Sequence, residues 1–106
     1  MPFLAYDLSL DLVRSLRGPL AAVRQRDRDL ARQLDRAADS VALNLAEAGG
    51  RFGGDRVQMF RIAYGSLREV RSALALATAK GWLDGSEPPH AIADRLGGIT
   101  SSVLVR

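Results

Sequence analysis

The sequence predicts an all-α protein, an antiparallel up-and-down bundle of four helices. Three observations point there. Apolar residues recur at intervals of three and four, Gly and Pro clusters divide the chain into four such stretches, and no run of four or more residues alternates as a half-buried strand does. Amphipathic helices joined by short links bury their stripes against one another. All 106 residues are expected to form a single domain, residues 1–106, near the usual size for one hydrophobic core.

The first helix is expected from about Asp7 to Arg17. Leu8, Leu12, Val13 and Leu16 share a face, Asp7 suits the entrance cap, and Gly18-Pro19 should stop it. Leu20 to Gln25 reads either as loop or as a short helical turn. A second helix spans about Asp27 to Ala48, its stripe formed by Leu30, Leu34, Ala37, Val41, Leu45 and Ala48. Gly49-Gly50 closes it, and Gly53-Gly54 should keep the connection flexible. Asp55 and Gln58 have the spacing of a capping box for the third helix, whose stripe of Met59, Phe60, Ala63, Leu67, Val70, Leu74 and Ala77 runs to Lys80. Gly81 suits the left-handed residue after that helix, about 37 Å long at 1.5 Å per residue. The fourth helix starts around Ser86-Glu87-Pro88-Pro89 and buries Ile92, Leu96, Ile99, Val103 and Leu104. Gly97-Gly98 should weaken its middle by about 1–2 kcal/mol, with fraying or a kink expected there.

Apolar residues make up 47% and charged residues 25%, a globular balance that argues against disorder. No window approaches the roughly 18 apolar residues of a membrane span, so no membrane association is expected. The first residues, Met1 to Asp7, lack the basic and apolar regions of a signal peptide. With no cysteine there are neither disulfides nor thiolate metal sites, which accords with a cytoplasmic location. Net charge is +3, and Lys80 is the only lysine among fifteen basic residues. Guanidinium forks bind phosphate in bidentate fashion, so such a surface suits nucleic acid; codon bias toward arginine is the other explanation.

Catalysis needs a nucleophile, a base or a metal cage, and no such set is legible. His90, the sole histidine, stands beside two prolines and reads as a surface residue. No Glu-x-x-His pair marks a carboxylate metal site, so neither metal nor cofactor is expected, and the chain reads as non-enzymatic. The run Gly49-Gly50-Arg51-Phe52-Gly53-Gly54 follows a helix and lacks the Gly-Lys-Ser/Thr ending of a phosphate loop. It reads either as a plain linker or as a place where Arg51, Arg56 and free N–H groups meet a phosphate.

Arg24, Arg28, Arg32 and Arg36 recur every four residues, opposite Leu34, Val41 and Leu45. They form either a ridge that follows a phosphate backbone or a solvated face paired with Asp29, Asp35 and Asp39. The aromatic residues do not cluster with this ridge, so base stacking finds no support. Ser40, Asn44 and Glu47 lie on a narrow polar strip beside the apolar stripe, with Ser66 and Glu69 placed similarly on the third helix. Both sets read as hydrogen-bond networks at helix or subunit contacts rather than as a catalytic carboxylate pair. Ile62, Glu69 and Leu76, at heptad spacing away from the main stripe, read either as a strip covered by a neighbouring subunit or as scattered exposed residues.

The same residues carry a family likeness. Arg36-Ala37-Ala38-Asp39-Ser40, then Asn44-Leu45-Ala46-Glu47, then Gly50-Arg51 resemble the signature RRAAxSxxxNxAEGxGR of the bacterial four-helix bundle proteins known as 23S rRNA intervening-sequence proteins. Phe60 to Glu69 and Ala77-x-x-x-Gly81-Trp82-Leu83 are similar to later segments of that family, so the likeness covers about Leu30 to Leu83. It implies a four-helix bundle, often a ring-like homopentamer. It also implies relatedness to the accessory variability determinant of diversity-generating retroelements, a basic pentameric barrel that binds nucleic acid and a reverse transcriptase. Ala42 stands where the family commonly has Pro, and Ala48 where it commonly has Gly, so the second helix should run straighter and slightly longer. The family is usually richer in lysine and more basic. Together these readings make the chain an oligomeric, nucleic-acid-binding bundle, the alternative being a scaffold that recruits another protein.

Overall fold

The chain is all-α, as expected. The computed structural model describes residues 3–105; Met1, Pro2 and Arg106, the extremes of the expected domain, lie outside the described residues. Five helices are present: α1 (Leu4–Ser15), α2 (Arg17–Arg24), α3 (Arg28–Gly49), α4 (Gly53–Ala79) and α5 (Pro88–Leu104), with no strand among the described residues.

Helix starts and stops follow local chemistry, not always the expected residue. α1 begins before Asp7, which sits in its first turn, while Phe3 holds the cap position without a side-chain bond. Gly18-Pro19 does not end helical structure. The break falls at Leu16, and both residues occupy the first turn of α2, where proline's missing N–H costs least. Leu20 to Arg24 is therefore helix. Asp27 caps α3, accepting a bond from the Leu30 N–H at 3.0 Å. α3 then runs unbroken for 22 residues through Ala42 and Ala48.

The capping box at Asp55 does not form, because α4 starts two residues earlier. Gly53, with φ +58°, turns the chain into the helix and Gly54 continues it, so this pair is helix rather than open linker. Gln58 accepts from Arg61 instead. The far end closes as expected. Gly81 (φ +76°) donates to the Thr78 carbonyl at 3.0 Å, and the Trp82 N–H reaches the Ala77 carbonyl at 2.9 Å, a Schellman closure. The 27 residues of α4 span about 40 Å at 1.5 Å per residue, close to the 42 Å long axis of the molecule. α5 takes Pro88 and Pro89 in its first turn and passes uninterrupted through Gly97-Gly98, so the expected weak point is not a break.

Four of these helices close a ring of neighbours: α1 on α3, α3 on α4, α4 on α5, and α5 back on α1, with α2 laid against α3. Contacts fix their directions. Ser40 meets Ser66 while Arg56 reaches Ala48, so α3 and α4 run antiparallel. Arg71 meets Asp94 and lies over Gly97, while His90 lines a cleft with Leu74 and Ala75, so α4 and α5 do likewise. One core fills the centre. Leu12, Leu34, Leu45, Phe60, Leu67, Leu74 and Leu96 are fully buried, each such side chain contributing about 1.5–3 kcal/mol. The two buried polar residues among those described bond within their own helices, Ser9 to the Tyr6 carbonyl and Thr100 to that of Leu96.

Candidate nucleic-acid interface

Arginines are the residues with functional promise, and the structure sorts them by what they touch. The expected ridge is split: Arg24 ends α2, and Arg28, Arg32 and Arg36 stand on α3, with the Asp27 cap between the two groups. All four are exposed, and among the described residues only Arg32 of the four is ion-paired, with Asp29 at 3.8 Å. Acidic residues crowd the same helix. Burial and, next, the Asp35 charge one turn away hold the Asp39 carboxyl above its usual value.

Arg51 and Arg56 do not converge on an open phosphate site. Arg51 lies between two carboxylates, Glu47 at 3.2 Å and Asp55 at 3.8 Å. Arg56 turns inward. Its guanidinium sits 5.4 Å from the Phe3 ring centre and 5.5 Å from that of Phe60, the two rings packed edge-on at 5.9 Å. The same group donates to the Ala48 carbonyl at 3.3 Å, placing a cation at the C-terminal end of α3. Arg56 is a clamp joining α1, α3 and α4.

The polar strips form a real but smaller network. Ser40 and Ser66 share a hydrogen bond of 2.7 Å across α3 and α4, and the Asn44 amide donates to the Ser40 carbonyl at 2.8 Å and its hydroxyl at 3.2 Å. Glu47 is drawn off to Arg51, and Glu69 lines a shallow groove with Gln33, Arg68 and Leu76. Ile62 and Leu76 are both exposed, as is Leu43 (68%), which the sequence reading passed over. Leu43 lies one turn along α3 from Ser40, and Ile62 one turn back along α4 from Ser66. In an antiparallel pair those steps run the same way, so the two side chains flank one stretch of groove.

A second set of arginines also escaped the sequence reading. Arg61, Arg68 and Arg71 are exposed along α4. Arg68 and Arg71 line an open cleft of about 450 Å³ with Ser72, His90 and Asp94. Asp94 bonds Arg71 at 3.1 Å, and the Arg71 guanidinium lies over Gly97, where an added Cβ would stand 3.1 Å from Nη1. His90 is held by Glu87 at 3.0 Å. That glutamate also accepts the N–H groups of Asp84 and Gly85, both at 2.9 Å. Burial alone would raise its carboxyl, but these bonds together hold it below its usual value. The available signal was spacing: residues seven and three apart share a helix face, away from Asp55 and Glu69.

Among the described residues no group of three or more His, Cys, Asp and Glu could hold a metal ion, and no helix is long and apolar enough to cross a membrane. A search of curated proteins found no match. Among solved structures, the chain is similar to a protein with unknown function from the S23 ribosomal protein family of Bacteroides thetaiotaomicron. Identity is 17%, the TM-score is 0.85, and the match covers 96% of this chain and 99% of that one, a likeness of fold. The model of the 23S rRNA-intervening sequence protein family matches residues 4–95, most of the chain. On that match, and on the bundle that carries the Arg36–Arg51 and Phe60–Glu69 segments, the chain belongs to the 23S rRNA-intervening sequence protein family.

Proposed function

We propose that this chain is a non-enzymatic, self-associating helical bundle that binds RNA or DNA through the phosphate backbone. The observation that carries the reading is the state of its arginines. Arg17, Arg24, Arg26, Arg28, Arg36, Arg61 and Arg68 are exposed, and among the described residues none is tied to a carboxylate, whereas Arg14, Arg32, Arg51 and Arg71 are. Exposed, unneutralised guanidinium groups attract phosphate and release its counterions. Self-association is supported by Leu43, Ile62 and Leu76 beside the Ser40–Ser66 contact, and by the family's implied pentamer. Five copies at +3 would bring about +15 to one assembly.

A protein-recruiting scaffold is the second reading, and one observation favours it. Phe52 is 88% exposed, and Leu4 and Val105 are exposed at the same end of the bundle, where α1 and α4 start and α5 finishes. A protein partner such as a reverse transcriptase would find apolar purchase there. Binding to mixed-sequence RNA and DNA at about 50 mM salt separates the two readings. Salt-sensitive binding supports the first; none would favour the scaffold. Light scattering tests self-association: an assembly broken by Ile62→Glu supports it, and a monomer at high concentration sinks it.

A further inference from the structure

Resting on that reading, we propose that the groove between α4 and α5, and not the arginine ridge of α3, is where the nucleic-acid backbone lies, with Arg61, Arg68 and Arg71 as its phosphate contacts. The two surfaces differ in their charge balance. α3 and its cap set Arg28, Arg32 and Arg36 among Asp27, Asp29, Asp35, Asp39 and Glu47, so acids outnumber bases along the helix. A polyanion approaching that helix meets carboxylates within a turn of every guanidinium. α4 instead segregates its charges. Asp55 belongs to the Arg51 contact and Glu69 to the groove on the α3 side; Arg68 and Arg71 line the α5 cleft, Arg68 bordering both grooves, and Arg61 stands two turns before Arg68 on the exposed face of α4.

These three form a ladder. Ten residues at 1.5 Å place Arg61 and Arg71 about 15 Å apart along the axis, roughly four base-pair steps at 3.4 Å. The opposite wall leaves room for a backbone. Gly97 is already covered by the Arg71 guanidinium, but the exposed Gly98 carries no side chain, with nothing within 4 Å of where a Cβ would stand. Ser72 brings a hydroxyl into the same cleft, whereas His90 is engaged with Glu87 through Nε2. Asp94 is the one carboxylate lining the cleft among the described residues. It grips Arg71 from an exposed position, so an arriving phosphate competes with it for the guanidinium fork.

The test is fluorescence anisotropy of labelled 20-nucleotide mixed-sequence RNA and DNA with the full chain, between about 50 and 200 mM salt. Arg61→Gln/Arg68→Gln, which touches no ion pair, is expected to weaken binding about tenfold at the low end. Its log–log salt slope should flatten by about 1.4 on single strands, two contacts at about 0.7 each. Asp94→Asn is expected to tighten binding, and Arg28→Gln/Arg32→Gln/Arg36→Gln to leave it within about twofold, circular dichroism confirming the fold of each. Binding that survives in the α4 variant and is lost in the α3 variant overturns the groove while leaving the nucleic-acid reading intact. Weaker binding by Asp94→Asn also counts against it. A wild-type chain that binds neither probe removes both.

Discussion

Replacing Arg56 by alanine should cost the fold about 2.5–3.5 kcal/mol and leave nucleic-acid affinity unchanged. The magnitude follows from what the guanidinium touches. Its charged hydrogen bond to the Ala48 carbonyl, long at 3.3 Å, belongs at the low end of the range for such bonds, about 1.5 kcal/mol. Two aromatic faces at 5.4 and 5.5 Å add about 0.5–1 kcal/mol each at a half-exposed position. In a chain of this size that loss lowers Tm by roughly 10–15 °C. Urea and thermal denaturation followed by circular dichroism supply the measurement. Arg56→Lys keeps the charge but not the planar fork, so it should lose about half as much. A cycle with Phe3→Ala should show coupling between the two residues. A loss below about 0.5 kcal/mol, or weakened oligonucleotide binding at full stability, would refute the clamp and return Arg56 to the phosphate ligands.

Three further outcomes follow from the geometry. Asn44→Ala removes two bonds to Ser40 and should destabilise by about 1–2 kcal/mol in urea melts, more than Ser66→Ala, which leaves the Ser40 hydroxyl bonded to Asn44. Gly98→Ala should stabilise by about 0.5–1 kcal/mol, since the site is helical, exposed and open, whereas Gly97→Ala should come out near neutral because Arg71 must move aside. The Glu87 clasp should open in acid. Its carboxyl is held below the ordinary value of 4.5, so its contribution is full above that value and lost as pH falls through the lower folded value; faster-than-intrinsic gains in amide exchange at Asp84 and Gly85 on acidification would show it, and unchanged protection would contradict it.

The parts of the fold that depend on neighbours in sequence were legible there. α3 and α4 carry long stripes of period 3.6, Asp27 lies three residues before Leu30, and Gly81 follows the last apolar residue of α4; each of these is a local rule. The misses share a cause. Gly18-Pro19 and Gly53-Gly54 read as breakers, yet a first helical turn tolerates both residue types, because its N–H groups have no partner in the helix anyway. Asp55 looked like a cap because nothing local revealed that Gly53 had already started the helix.

The site was harder to read because it is a matter of register between helices. Arg56 reads as one more exposed cation until Phe3, over fifty residues away, is folded against Phe60. Arg68 and Arg71 gain their meaning from Gly97 and Asp94 across the bundle, and the even spacing of the α3 arginines drew attention from the acids between them. Ser40, Asn44 and Ser66 were found because polar residues bordering an apolar stripe have to be paired.

Affinity of the wild-type chain for mixed-sequence RNA and DNA, measured against salt, tests the central claim most directly. Phosphate contact through several guanidinium groups predicts a straight log–log line falling with a slope of about −2 or steeper, since three contacts at about 0.7 each come from one subunit alone. A flat line, or no binding at about 50 mM salt, would contradict it and leave the exposed end around Phe52 as the surface to pursue.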